Sequence, residues 1–197
     1  GVVSASAAPA LLPDVSQSDA ISFVPHRAVY DFSLVDTGAG SSVSGMTGRM
    51  VYEINGSACE GYTQNMRFVT MMTNEEGSQT INDMRTSSFE DIKRGKLRFS
   101  FKQLQDDKII ESSQGDAARK GDKQVVVDVT KPKKKRVILP GEVYFPIQHA
   151  RALITAAKRG DKFFKGYLFD GSEKGEKYYL TNAVIGKKLG GGPLPKA

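Results

Sequence analysis

Residues Leu139–Gly171 read LPGEVYFPIQHARALITAAKRGDKFFKGYLFDG and contain the strongest helix signal of the chain. Pro146 suits the first turn of a helix, where its missing N–H costs nothing, and Gly160 suits a left-handed residue just after the helix ends. The sequence therefore predicts one helix over residues 146–159. One stripe of this helix is apolar, and we expect it to be buried against a sheet: Ile147, Ala150, Leu153, Ile154 and Ala157.

Most of the remaining chain has the alternating pattern of β-strands, and turn signals such as Asn55-Gly56 separate the strands. Residues 77–90 are polar and predict an exposed strand. Residues 112–122 hold two glycines and predict a loop. For residues 25–186 we predict a mainly β domain, in which a single strongly curved antiparallel sheet of about nine strands, a spiral or half-open barrel, wraps around the one helix.

The composition bounds the classes of function. A chain of 197 residues with 39% hydrophobic residues suits a single domain with one core. A net charge of +6 favours contact with anionic surfaces such as phospholipid head groups, nucleic acid or acidic glycans. No apolar run is long enough to cross a bilayer, so we do not expect an integral membrane protein.

The two ends lack strand or helix patterns. Residues 1–24 predict a disordered lead, and its small-residue pattern Ala5-Ser6-Ala7 is either the end of a secretory signal peptide or part of a flexible tail. Residues 187–197 contain three consecutive glycines and two prolines, which predict a flexible tail or a truncated C-terminus.

Catalytic and metal-binding patterns are sparse. The chain contains two histidines, His26 and His149, and one cysteine, Cys59. A nucleophilic triad needs a histidine beside a nucleophile and a carboxylate, and His149 lies next to the apolar stripe of the helix, where a packed histidine is the more frequent role. A zinc site needs three or four ligands at short spacing. We therefore predict no enzyme, no metal site and no cofactor.

The basic run Lys131–Arg136, KPKKKR, resembles a nuclear localisation signal and would suit polyanion binding. A charged hairpin turn between two apolar strands explains it better, because lysines protect strand edges from aggregation. Nucleic-acid binding also calls for interleaved aromatic residues, which this run lacks. We predict a turn here and no nucleic-acid partner.

Several large and flexible apolar side chains fall on one predicted face of the sheet. Methionine suits an adaptable apolar cavity, and a curved sheet can offer more apolar surface than one slim helix covers. A cavity and a core filled by the chain's own side chains are equally compatible with this pattern. The candidate ligand-cavity residues are Met50, Tyr52, Met66, Phe68, Phe99, Phe101 and Leu153.

The helix segment LPGEVYFPIQHARALITAAKRG, together with LFDG, HRAVYDFSL, GRMVYEI and Cys59, resembles the cell-envelope integrity protein EipB family of alphaproteobacteria. The resemblance spans roughly residues 25–185. It implies a periplasmic, non-enzymatic protein with a spiral, broken-barrel sheet similar to the lipoprotein carriers LolA and LolB, and a genetic link to a periplasmic tetratricopeptide-repeat protein.

The chain departs from the family pattern at one point. By resemblance, Cys59 would form a disulfide with a second cysteine near a longer C-terminus, and this sequence has no second cysteine. The pairing is therefore not available within these residues.

We predict a periplasmic, non-enzymatic protein of cell-envelope integrity and homeostasis that binds a lipid, an acyl chain or a peptide in its concave apolar face. The alternative is a scaffold that recruits a protein partner through an exposed strand edge. An envelope hydrolase is disfavoured by the shortage of acid–base groups, and the chain is predicted to be a monomer or a homodimer.

Overall fold

The structure is a computed structural model that describes residues 21–38, 40–188 and 190. Most of the predicted lead and most of the predicted tail therefore lie outside the described residues. Phe23, assigned to the lead, is partly buried: its backbone N–H donates to the Tyr62 hydroxyl at 3.0 Å and its ring meets the Tyr62 ring edge-on. Ordered packing thus begins slightly before the predicted boundary at residue 25.

The main element is a curved antiparallel sheet of eight strands, each paired with the next strand along the chain. Hairpin connections join the strands as in a meander, with nine residues between β1 and β2 and two to four residues between each later pair. The strands are β1 (His26–Ser33), β2 (Val43–Ser57), β3 (Gly61–Asn74), β4 (Gln79–Asp91), β5 (Lys96–Gln105), β6 (Lys108–Lys120), β7 (Gln124–Lys131) and β8 (Lys135–Pro140).

Strand β6 corrects one expectation, because residues 112–120 were predicted as a loop. The small residues of this segment are required by packing rather than by a turn. On the face that bears the helix, Gly115 pairs with Phe99 and Ser113 pairs with Phe101. A Cβ on Gly115 would lie 2.8 Å from the Phe99 ring and 2.6 Å from the carbonyl oxygen of Asp128. Glycine and serine on β6 therefore make room for the large side chains of β5.

The last strands form a second, smaller sheet instead of extending the first. It consists of β9 (Val143–Tyr144), β10 (Phe163–Leu168) and β11 (Tyr179–Val184), with β10 in the middle, parallel to β9 and antiparallel to β11. A short 3₁₀ helix, Glu173–Gly175, lies between β10 and β11. The predicted curved sheet with one helix is confirmed, but its strands divide into eight and three rather than forming one set of about nine.

The helix α1 spans Pro146–Arg159, as predicted, with Pro146 in its first turn and Gly160 in the left-handed conformation at its end. Its buried side chains are Ile147 and Ala156. Leu153 is only partly buried, and Ala157 is exposed. The predicted buried stripe is therefore correct at Ile147 and wrong at Ala157, because the helix rests mainly on its first turn and on Ala156.

Two clusters of buried side chains hold α1 and the small sheet against one face of the large sheet, which we call the inner face. The larger cluster joins strands β5–β8 to residues around α1 and β10: Leu97, Phe99, Ala117, Val125, Val127, Val129, Leu139, Val143, Phe145 and Phe169. The smaller cluster joins Ile54 and Tyr62 to Ile147 of the helix. The start of the helix therefore contacts both clusters, the larger through Phe145 just before α1 and the smaller through Ile147 in its first turn.

Candidate functional site: the uncovered part of the inner face

Strand register places the candidate cavity residues of the sheet on the inner face. In antiparallel pairs, directly opposed residues point to the same side. Tyr52 pairs with Met66, and Met50 pairs with Phe68. Across the next strands Met66 pairs with Thr86, which in turn pairs with Phe101.

Part of this face is filled by the chain itself. The Phe99 ring is 2% exposed and meets Phe169 edge-on at 5.4 Å between ring centroids. A Cβ on Gly171 would overlap with the same ring, and a Cβ on Gly175 would lie 3.0 Å from it. Phe101 is also buried, at 6% exposure. The ligand contact predicted for Phe99 and Phe101 does not fit this packing, because the segment after β10 occupies the space above Phe99.

The other part of the face is left accessible by the described residues. Met50, Met66 and Phe68 are only partly buried there, on adjacent strands β2 and β3. Phe32 meets the Phe68 ring edge-on at 5.5 Å between ring centroids, and Tyr30 lies beside Phe32. We call the following set the apolar patch: Tyr30, Phe32, Met50, Met66, Phe68 and Met84.

Three members of the apolar patch were not among the predicted cavity residues. Tyr30 and Phe32 are 49% and 39% exposed, and Met84 pairs with Phe68 from β4. The signal that could have found them is the period of two, since Tyr30 and Phe32 alternate with polar residues and pair with Met50 and Gly48.

Tyr52 and Leu153 have different surroundings. The Tyr52 hydroxyl accepts a hydrogen bond from the Gln64 side chain at 2.7 Å, and the Tyr52 ring packs against the smaller core cluster beneath α1. Leu153 is partly buried on α1 itself. Tyr52 therefore lies between the apolar patch and the helix. The predicted role of Leu153 as a ligand contact stays a prediction.

The first turn of α1 is bound by a carboxylate from the sheet. Glu90, fully buried on β4, accepts hydrogen bonds from the backbone N–H groups of Ile147 at 2.7 Å and Gln148 at 3.1 Å. The residue before the helix, Phe145, has no side-chain oxygen that could accept these bonds. Glu90 thus replaces the usual N-cap from a distant strand. It fixes the position of the helix along the inner face.

Arg119 of β6 completes this anchor. Its guanidinium donates hydrogen bonds to the carbonyl oxygens of Gly141 and Val143 and to the side-chain oxygen of Gln148 at 3.0 Å. It also lies over the Phe145 ring, 5.6 Å from its centroid, in a cation–π arrangement. The segment that leads into α1 is therefore held by hydrogen bonds from β4 and β6. Strands β4 and β6 are the two neighbours of strand β5 in the sheet.

Burial raises the pKa of Glu90 to about 7, and the two backbone N–H groups, Arg119 and Arg151 oppose this shift only in part. Because the folded-state pKa lies above the usual value of 4.5, stability from this group is complete at low pH and is lost as the pH rises to about 7. We predict that raising the pH from 5 to 8 lowers the stability of the chain, relative to a Glu90→Gln variant, by about 2 kcal/mol. Urea unfolding of both proteins at the two pH values measures this difference, and parallel curves would contradict it.

His149 packs within the small-sheet contact. Its Nε2 lies 2.7 Å from the Thr181 hydroxyl oxygen, and its ring meets Phe164 edge-on at 5.3 Å between ring centroids. Burial lowers its pKa. The residue is a packed histidine, as expected from its position, although its partner is a threonine side chain. His26 is exposed, with Nδ1 2.7 Å from the Val24 carbonyl oxygen.

Comparison with known proteins identifies the family of this chain. A family model described as EipB-like matches residues 17–195. The chain is 43% identical over 173 residues to the "Cell envelope integrity protein EipB" of Brucella abortus (strain 2308), covering 88% of this chain and 61% of that protein. The chain belongs to the EipB-like family. It spans about three fifths of the length of this curated relative.

The fold of this EipB-like chain is similar to a solved structure. A crystal structure described as a beta-barrel-like protein of a domain of unknown function from Brucella abortus aligns with a TM-score of 0.76 and 43% identity, covering 83% of this chain and 69% of that chain. The overall fold of this chain is therefore similar to one seen experimentally in a relative.

The position of the single cysteine and the length of the helix were also predicted from the sequence of this EipB-like chain. Cys59 is exposed in the turn between β2 and β3, at a strand end as predicted. Within the described residues, no helix is both long enough and apolar enough to cross a membrane.

Proposed function

We propose that this chain is a periplasmic protein of the cell envelope that binds the acyl chain of a lipid on the apolar patch and has no enzymatic activity. The observation that carries the proposal is the patch itself, a cluster of partly exposed aromatic and methionine side chains on an otherwise covered face. The envelope location and role are supported by the relative named cell envelope integrity protein EipB.

The chemistry of the patch favours an acyl chain over a polar ligand. Its six side chains carry no charge, and only the Tyr30 hydroxyl is polar. Apolar surface left in water costs about 25 cal/mol per Å², so covering it with a hydrocarbon chain is favourable. Methionine side chains adapt to occupants of different shape, which suits lipid tails of varying length.

The non-enzymatic part of the proposal rests on the surroundings of the candidate groups. The rings of Phe164 and Tyr144 enclose His149, and the Thr181 hydroxyl, 2.7 Å from its Nε2, donates its own proton to the carbonyl oxygen of Gly166. Glu90 is fully buried and occupied by the helix N-terminus. Neither group is in a position to contact a substrate on the apolar patch.

We expect the chain to bind a fluorescent fatty-acid analogue, and Met66→Asp to weaken this binding at least about tenfold, because a carboxylate in the apolar patch would have to lose its hydration. Met71→Asp is the matched control. Met71 is a partly buried methionine of the same strand, but it points to the opposite face of the sheet. Fluorescence titration of the parent and both variants measures the dissociation constants.

Circular dichroism should first establish that both variants fold, since each adds a charge to a partly buried position. If the parent does not bind the analogue, or if Met71→Asp weakens binding as much as Met66→Asp, the proposal is wrong.

The alternative function is a scaffold that adds a partner strand to β1. Within the described residues β1 pairs on one side only, with β2. It exposes apolar side chains on both faces, including Val29 at 47% and Tyr30 at 49%. Unpaired strand edges of this kind accept extended peptides. A link to a periplasmic tetratricopeptide-repeat protein, as the family resemblance implies, stays a proposal of the same kind, as does a monomeric or dimeric state.

A further inference from the structure

The outer face of the large sheet, opposite the apolar patch, carries a groove over strands β4–β8. Its cavity has a volume of about 670 Å³. Two neighbouring cross-strand rows form its floor. One row contains Phe89, Arg98, Asp116, Asp128 and Arg136, and the other contains Asp91, Lys96, Ala118 and Val126.

The charges in this groove are unequal. Arg98 pairs with Asp116 at 3.1 Å, Arg136 with Asp128 at 2.7 Å and Arg94 with Asp91 at 3.4 Å, so each of the three carboxylates has an arginine partner. Two further cations line the groove: Lys96 and Lys120. Both are exposed, and neither forms an ion pair within the described part of the chain. The groove therefore has an excess of two positive charges available for a ligand.

A second cavity of about 470 Å³ continues the groove, since both are lined by Asp128 and Arg136. It is lined by Lys134 and Lys135 as well, both from the basic run that forms the turn between β7 and β8 and its flanking residues. Lys135 is ion-paired with Glu176 at 2.7 Å and lies in register with the buried Val129, whereas Lys134 forms no ion pair within the described residues. Lys134 therefore adds one positive charge at this end of the groove.

We infer that this outer-face groove binds the phosphate-bearing head group of an anionic phospholipid at a membrane surface. Lys96 and Lys120 would contact the phosphate, and Phe89 and Val126 would contact the less polar glycerol part of the lipid. The interaction is peripheral and electrostatic, so it weakens with added salt. It is separate from acyl-chain binding, which concerns the opposite face of the sheet.

A lipid head group fits the groove better than a polyanion does. Asp91, Asp116 and Asp128 neutralise three of the five cations that line the groove, so the net excess suits a single phosphate better than a densely charged polymer such as polyphosphate. Phe89, Ala118 and Val126 offer apolar contact to an amphiphile, and a polyphosphate has no apolar part that could use it. Phe89 is the one aromatic residue among the groove's lining residues, whereas single-stranded nucleic acids bind to series of stacking aromatics.

Vesicle co-sedimentation tests this inference. We expect the protein to bind vesicles that contain phosphatidylglycerol, and to bind pure phosphatidylcholine vesicles much more weakly. Each basic residue near an anionic membrane strengthens binding by about fivefold, so the double variant Lys96→Gln/Lys120→Gln should bind phosphatidylglycerol vesicles about 30-fold more weakly. Its binding of the fluorescent fatty acid should be unchanged, which distinguishes this result from a failure of the proposed function.

The matched control is Lys162→Gln/Lys165→Gln, which removes the same charge from exposed positions at the small sheet. Equal weakening by this control would show that only the net charge matters, and would overturn the inference. Equal binding to phosphatidylcholine vesicles, or binding to polyphosphate with no binding to vesicles, would overturn it as well.

A site-specific readout is available because the chain contains no tryptophan. Phe89→Trp places a single fluorophore in the groove, at a position where the native ring is 40% exposed. Phe163→Trp places one on the small sheet, where the native ring is 74% exposed. Brominated phosphatidylglycerol vesicles should quench the Phe89→Trp variant at least threefold more strongly. Equal quenching, or stronger quenching of the Phe163→Trp variant, would contradict the location.

Discussion

Replacing Glu90 with alanine is expected to lower the free energy of unfolding by about 3–5 kcal/mol. The substitution leaves the N–H groups of Ile147 and Gln148 without the acceptor that now binds them at 2.7 and 3.1 Å. Each buried donor that loses its partner costs about 1–3 kcal/mol. At pH 5, below the Glu90 pKa of about 7, the carboxyl is protonated, so the loss is that of a hydrogen-bond acceptor and not of a counter-charge for Arg119.

Urea denaturation measures this loss, and for a chain of this size it corresponds to a fall in melting temperature of about 10 °C. Glu90→Gln keeps one oxygen that can accept a hydrogen bond, so it should lose less stability than Glu90→Ala. The control is Asp31→Ala, which breaks the ion pair with Arg49 on the surface. Such exposed pairs contribute little to stability, because both charges stay hydrated. A Glu90→Ala variant no less stable than this control would show that Glu90 does not anchor the helix.

The role of Glu90 could not be predicted from the sequence. It lies at the end of the polar stretch 77–90, where a glutamate has the pattern of a solvent-exposed strand residue. Its partners are 57 and 58 residues away along the chain, and no local pattern joins a strand carboxylate to a helix that begins so far downstream. The helix itself was predictable to the residue, because Pro146 and Gly160 are local signals that act within one turn.

The same division between local and distant causes applies to the candidate site. The period of two correctly assigned Met50, Met66 and Phe68 to one face, because side-chain alternation is a property of each strand alone. Which part of that face stays uncovered depends on where the segment after β10 packs. That segment fills the space above Phe99 and leaves the apolar patch open, an outcome that the strand pattern does not contain.

Gly171→Ala is expected to destabilise the chain by about 3 kcal/mol or more, the second large effect. Gly171 adopts the left-handed conformation with φ of 85°, which costs a residue with a Cβ about 1–2 kcal/mol. Its Cβ would also overlap with the Phe99 ring, which is already confined by Gly115 and Gly175. Overpacking a filled core costs about 1–3 kcal/mol more. The carbonyl of Gly171, which accepts a hydrogen bond from the buried Ser113 hydroxyl, would be displaced as well.

Gly77→Ala separates the cost of the left-handed backbone conformation from the cost of the overlap with the Phe99 ring. Gly77 has a φ of 82°, nearly the same as Gly171, but a Cβ there would meet nothing within 4 Å. Its substitution should therefore cost only the conformational part, about 1–2 kcal/mol. The difference between the two variants in urea denaturation measures the contact with Phe99. If both lose the same stability, the segment after β10 does not press on the Phe99 ring, and the part of the inner face above Phe99 would be open to a ligand after all.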